Sequence, residues 1–181
     1  MTRSAPLGLV MAVTIALFAP AASAATIALE AFLDGRQEVP ANGSLAIGIA
    51  QLMYDTDTMM LTIQSTVLGI ETDVLTGFHI HGPADPGEVV NPPLVHLGTA
   101  LWSNIPMLDG MAYQQATMPI DAATATALLA DRTYLNVHTD AFPNGEIRGQ
   151  ITVVPVPEPG TAMLMALGLI GLARAGTRRP R

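Results

Sequence analysis

The chain has 181 residues, half of them apolar, with a net charge of −7 and neither cysteine nor lysine. This acidic balance excludes nucleic acid as a partner, because binding to phosphates needs a basic surface. The absence of cysteine excludes thiol chemistry and a fold held together by disulfides.

The first 24 residues have the pattern of a secretory signal peptide. Arg3 supplies the positive charge, residues 7–18 form an uncharged apolar run, and Ala22-Ser23-Ala24 is a cleavage site of small residues. The alternative is a first transmembrane helix, but the run is short for a bilayer span and ends in small residues. We therefore expect cleavage between Ala24 and Ala25 and export of the mature chain.

Residues 25–154 are expected to form one domain of short strands separated by turns. Strands are predicted over residues 26–33, 44–54, 59–68, 74–81, 94–97, 111–118, 133–139 and 146–154. One helix is predicted over residues 121–130, with Asp121 as its N-cap. Many short strands at this spacing predict an all-β sandwich or barrel with one short helix.

Three of these strands combine an apolar core face with an unusually polar outer face, because residues two apart in a strand share a face. The predicted core residues are Phe78, Ile80, Leu135, Val137, Ile147 and Ile151. The residues predicted on the outer face are His79, His81, Tyr134, Asn136, His138, Glu146, Arg148 and Gln150.

The His-x-His pair at 79 and 81 has the pattern of half a metal site, since both imidazoles are expected to project to the same side. His138 is the third candidate ligand, and Glu146 is either the fourth or a group that orients an imidazole. Zinc or copper is the expected metal. The alternative is a polar network in which the histidines bind carbonyls around Gly82-Pro83 and Glu146 pairs with Arg148 or Arg36. The pattern leaves both hypotheses open.

No catalytic residues are assigned, because the chain has no Ser-His-Asp order, no glycine-rich phosphate loop and no HExxH motif. The prediction is a protein that is not an enzyme, with metal-dependent activity left open.

The C-terminal stretch "VPEPGTAMLMALGLIGLARAGTRRPR" combines Pro157-Glu158-Pro159, an apolar run over residues 161–173 and a cluster of arginines. The run is short for a membrane span, and an amphipathic or buried helix is the alternative, but the run has no polar face. Arginines stay on the cytoplasmic side, so the segment is predicted to be a helix that anchors an external domain.

This tail resembles the PEP-CTERM sorting signal of Gram-negative bacteria, which would occupy residues 155–181. The resemblance implies export across the inner membrane and processing by an exosortase. The anchor helix would then hold the protein in the membrane transiently, before delivery to the cell surface or extracellular matrix.

Four stretches within the domain resemble the CHRD domain, first named from chordin. They are "LDGRQEVP" (33–40), "GFHIHGPADPGE" (77–88), "YLNVHT" (134–139) and "FPNGEIRGQI" (142–151). The resemblance implies a Greek-key, immunoglobulin-like β-sandwich. The expected role is a non-catalytic interaction module in an extracellular polysaccharide layer.

A fainter resemblance connects the Gly-Phe-His-x-His strand to copper-zinc superoxide dismutases, with His96 and His138 as the later histidines. The chain departs from those enzymes because it lacks their disulfide and their zinc loop. This resemblance implies the alternative function, an exported metal-binding protein with redox activity.

Overall fold

The computed structural model describes residues 26–155 together with residues 168 and 169. The expected signal peptide with its cleavage point at Ala24 and Ala25 lies outside the described residues. The Pro157-Glu158-Pro159 motif lies outside them as well, as does the anchor helix over residues 161–173 apart from residues 168 and 169. Among the described residues, no helix has the length and apolar character needed to cross a membrane.

Within residues 26–155 the chain forms nine strands and one α-helix. The elements are β1 (Thr26–Asp34), β2 (Ile47–Asp55), β3 (Met60–Leu68), β4 (Leu75–His81), β5 (Val95–His96), β6 (Trp102–Asn104), β7 (Gly110–Pro119), α1 (Ala122–Leu129), β8 (Thr133–Thr139) and β9 (Ile147–Val153). The predicted mostly-β class with one helix is confirmed.

Two aspartates stabilise local structure, and one of them is the predicted N-cap of the helix. Asp121 Oδ1 accepts a hydrogen bond from the backbone N–H of Thr124 at 2.7 Å, which caps α1. Asp55 Oδ1 accepts from the backbone N–H groups of Asp57 and Thr58, both at 2.9 Å, which closes the β2–β3 hairpin. Strand β6 was not predicted, because three residues are too few to show alternation.

The strands form one antiparallel sheet in the order β5-β4-β8-β9-β1-β2-β3-β7-β6. This sheet is curled, since Phe78 on β4 packs against residues near the opposite edge. Its ring centroid lies 5.1 Å from those of Trp102 on β6 and Tyr113 on β7. The apolar face therefore closes on itself around a single core.

The core face was predicted correctly from alternation. The side chains of Phe78, Ile80, Leu135, Val137, Ile147 and Ile151 are all 0% exposed. Full burial of an apolar side chain of this size stabilises a fold by about 1.5–3 kcal/mol. The core therefore fixes β4, β8 and β9 side by side, and this places their opposite faces together as well.

Candidate metal centre

The face of β4 and β8 opposite the core carries the histidines. In the β4–β8 register, Gly77 lies opposite His138 and His79 opposite Asn136. The short strand β5 then places His96 beside His79. All four histidines of the chain thus meet around His79, whose ring centroid lies 5.7 Å from that of His81, 4.8 Å from that of His96 and 4.9 Å from that of His138.

Three of the four predicted ligands come together. One ligand nitrogen from each of His79, His81 and His138 lies within 4.8 Å of the other two. A tetrahedral zinc ion with Zn–N bonds near 2.0–2.1 Å holds its nitrogens roughly 3.4 Å apart. To bind one ion, the nitrogens would therefore approach one another by up to about 1.4 Å.

Glu146, the fourth predicted residue, points elsewhere. Its Oε1 accepts a hydrogen bond from Ser44 Oγ at 2.8 Å, and its Oε2 accepts from Thr139 Oγ1 at 2.5 Å. Thr139 and His138 are successive residues of β8 and so lie on opposite faces. Alternation could not place Glu146, because it precedes the first residue of β9 and follows a glycine with φ of 126°. Among the described residues, Glu146 forms an ion pair with neither Arg36 nor Arg148.

The hydrogen bonds of two histidines fix their tautomers. His81 Nδ1 lies 2.9 Å from the carbonyl oxygen of Val90, and His138 Nδ1 lies 3.0 Å from that of Pro143. A carbonyl oxygen only accepts, so each Nδ1 carries the hydrogen and each Nε2 is left with a free lone pair. Both Nε2 atoms are buried and have no hydrogen-bond partner within the described part of the chain.

This arrangement combines the two hypotheses for the histidines. Loop carbonyls do bind them, although these belong to Val90 and Pro143 rather than to Gly82-Pro83. A ring that donates through one nitrogen to a backbone carbonyl and offers the other nitrogen is the usual form of a metal-binding histidine.

Burial keeps the cluster neutral. Burial, together with the smaller effects of the neighbouring rings of His138, His96 and His81 in that order, lowers the pKa of His79 to about 4. Burial also lowers the pKa of His138, which the Pro143 carbonyl partly offsets. The pKa of His81 is lowered by burial as well, against the raising effect of its bond to Val90. Neutral imidazole is the form that binds metal, so the cluster is in its ligand form at pH 7.

Gly77 makes room for the rings. A Cβ atom at this position would lie 2.8 Å from His79 Cε1 and 3.3 Å from His138 Cδ2. Real Cβ atoms essentially never come within 3.0 Å of another heavy atom, so a side chain here would force the His79 ring to move. Glycine at this position therefore lets the two imidazoles lie across the strand pair.

The predicted outer face is covered by other parts of the chain, and several of its residues are buried. His81 is 4% exposed, Asn136 is 5% exposed and Arg148 is 2% exposed. The loops after β4 and after β8 fold over this face, and their carbonyls meet His81 and His138. Alternation identifies the side away from the core but does not show whether a loop covers it.

Sequence reasoning missed Gly77, and it named His96 only through the fainter resemblance and not among the four candidate ligands. A strand around His96 was predicted, but the pattern does not show which strand it pairs with. Gly77 and His79 are two residues apart and so share a face of β4. This spacing could have predicted that the glycine lies beside the histidines.

A family model described as CHRD domain matches residues 29–151, and one described as PEP-CTERM protein-sorting motif matches residues 155–179. No curated protein matches the chain, and no solved structure does.

Proposed function

The chain belongs to the CHRD domain family and carries a PEP-CTERM sorting motif, and from this premise we propose that it is an exported protein that binds zinc or copper through His79, His81 and His138. The motif indicates export and exosortase-dependent sorting to the envelope or surface of a Gram-negative bacterium. The metal centre would then operate outside the cytoplasm.

The observation that carries the proposal is the pair of unpartnered Nε2 atoms on His81 and His138. A buried polar atom without a hydrogen bond costs about 1–3 kcal/mol. Two such atoms beside His79, with their lone pairs already selected by the Nδ1 bonds, form a set that a metal ion would satisfy.

The donor set narrows the choice of ion. Three neutral imidazoles suit zinc and copper, whereas magnesium and calcium prefer oxygen ligands. Three protein ligands leave a fourth coordination position for water or for a ligand. For the domain as a whole, we propose the role of an interaction module within an extracellular polysaccharide layer.

The test uses the mature exported protein. Its metal content is measured by elemental analysis, and thermal melts are recorded with chelator and then with zinc or copper. An ion at a hundredfold excess over its Kd should stabilise the protein by about 2.7 kcal/mol. His81→Ala should abolish this shift.

Thr66→Ala, at an exposed position of β3, is the matched control and should keep the full shift. If wild type gives the same melt with chelator and with each metal, and no metal co-purifies, the proposal is wrong.

A further inference from the structure

Arg148, on the same face as the histidines, is a buried cation that forms no ion pair with any carboxylate of residues 26–155. It is 2% exposed, and its guanidinium carbon lies 3.5 Å above the centre of the Tyr134 ring. Nη1 donates to the carbonyl oxygen of Glu88 at 2.7 Å, while Nη2 is buried and has no partner in the described segment. No carboxylate of residues 26–155 lies within salt-bridge distance of this guanidinium. Buried charges in proteins are normally paired.

Arg148 lines a cleft of about 530 Å³, and Glu38 and Asn136 line it too. Both are buried, and Glu38 Oε1 and Asn136 Oδ1 are also unpartnered among the described residues. These two oxygens lie around Gly145, where a Cβ atom would be 2.6 Å and 2.5 Å from them. One unsatisfied donor and two unsatisfied acceptors thus belong to side chains that line the same cleft.

The charge around this cleft differs from that of the rest of the domain. Residues 25–154 contain fourteen Asp and Glu but only three arginines. Arg36 lines a depression of about 270 Å³ that shares Glu38 and Arg148 with the cleft, so two of the three arginines border one region. An anion that the rest of the acidic domain would repel is favoured here.

Two acidic residues lie near Arg148, and neither forms an ion pair with it within residues 26–155. Burial raises the pKa of Glu38 to about 7, against the lowering effect of Arg148, so this carboxyl is substantially protonated near neutral pH. The Glu88 carboxylate accepts a hydrogen bond from the backbone N–H of Asp85 at 2.9 Å and presents only its carbonyl to Arg148.

We propose that the cleft binds a hydroxycarboxylate, of the kind found in a uronic acid. The ligand's carboxylate would accept a hydrogen bond from Arg148 Nη2, and its hydroxyls would donate to Asn136 Oδ1 and Glu38 Oε1. The volume suits one or two sugar rings, since ligand sites are usually about 300–1,000 Å³. The source is either a uronate unit of a polysaccharide or a free hydroxy acid.

This site does not require the metal, because none of its three polar groups belongs to the three-histidine cluster. His138 lines the same cleft, however. Binding is therefore measured both in chelator and with zinc, so that failure of the metal centre is distinguished from failure of this site.

The test is calorimetric titration of the mature protein with glucuronate, with glucose and with an oligouronate. Glucuronate should bind, and glucose should bind at least about tenfold more weakly, because it lacks only the charge-assisted bond to Arg148. Tighter binding of the oligouronate assigns the site to polysaccharide, and equal binding assigns it to a free acid. Equal binding of glucose and glucuronate, or no binding of either acid, would overturn the proposal.

Two substitutions test the residues. Arg148→Gln should weaken glucuronate binding by about tenfold or more, whereas Arg132→Gln, at an exposed arginine already paired with Asp85, should leave it unchanged. Glu38→Gln tests the proposed site even if Arg148→Gln does not fold. It removes the competing negative charge while keeping an acceptor, and it should tighten binding several-fold at pH 8. Unchanged or weaker binding by a folded Glu38→Gln protein would contradict the assignment.

Discussion

The ring of His96 meets the ring of His79 edge-on, with centroids 4.8 Å apart and ring planes at 83°. His96 is exposed on the two-residue strand β5, whereas His81 on the other side of the cluster is 4% exposed. His96 thus supports His79 from outside the group of three nitrogens that lie close enough to share an ion.

This relationship predicts unequal effects on metal affinity. His81→Ala removes a ligand and should weaken zinc binding by more than about a hundredfold, whereas loss of a supporting residue costs about 10–100-fold. His96→Ala should fall at the low end of that range. Competition with a chromophoric zinc chelator measures both affinities. A larger effect for His96→Ala would place His96 among the ligands.

Acid should destabilise the metal-free protein through His79. Its pKa is lowered from 6.5 to about 4 by folding, so the unfolded chain binds the proton more tightly. Stability from this group is therefore complete above pH 6.5 and is lost as the pH falls towards 4. We expect a loss of about 1–2 kcal/mol, less than the full shift implies because the ring is partly exposed.

Glu38 acts in the opposite direction, since its pKa is raised from 4.5 to about 7 and its contribution is lost as the pH rises through that range. The effect of His79 is therefore isolated by comparison with His79→Gln. Urea unfolding in chelator at several pH values between 7.5 and 4.5 should show wild type losing stability relative to the variant. Parallel curves would show that His79 is not protected from protonation.

Gly77→Ala should disturb the metal centre directly. The added Cβ would lie 2.8 Å from His79 Cε1, so the ring must move. We expect a loss of about 1–3 kcal/mol from overpacking, together with weaker zinc binding. Gly43→Ala is the matched control, because nothing lies within 4 Å of its Cβ position. Urea titration and metal competition are measured on both variants. Equal stability and equal zinc affinity in the two would contradict this prediction.

Phe78→Ala tests the closure of the curled sheet. Phe78 is 0% exposed and contacts Trp102 and Tyr113 from the far side of the sheet order. Its truncation should cost about 3–5 kcal/mol. Phe32→Ala removes the same side chain where it is 52% exposed and should cost less than about 1 kcal/mol. Equal midpoints in urea would argue against the closed core.

Processing should be visible in the mass of the exported protein. The small residues before Ala25 and the Pro157-Glu158-Pro159 motif predict a mature chain that begins near Ala25 and lacks the C-terminal arginines. Intact mass spectrometry of the surface fraction measures both ends. Glu158→Ala should retain the arginines, and a wild-type surface protein with its complete C-terminus would contradict the prediction.

Local pattern determined a large part of this fold. The alternation of Phe78, Ile80, Leu135 and Val137 with polar residues identified the strands and their core faces, because side-chain direction in a strand depends only on position. Local hydrogen bonding likewise fixed the hairpin at Asp55 and the cap at Asp121. Each family motif likewise lies within one short stretch of the sequence, so it could be identified without the tertiary structure.

Tertiary structure alone decided what surrounds the polar face. His79 and His138 are 59 positions apart in the sequence, and they meet only because β4 pairs with β8 in one register. The burial of Arg148 and the orientation of Glu146 towards Ser44 depend on loops that follow no period. Periodicity tells which side of a strand a residue occupies, whereas pairing and loop coverage are set by contacts between distant segments.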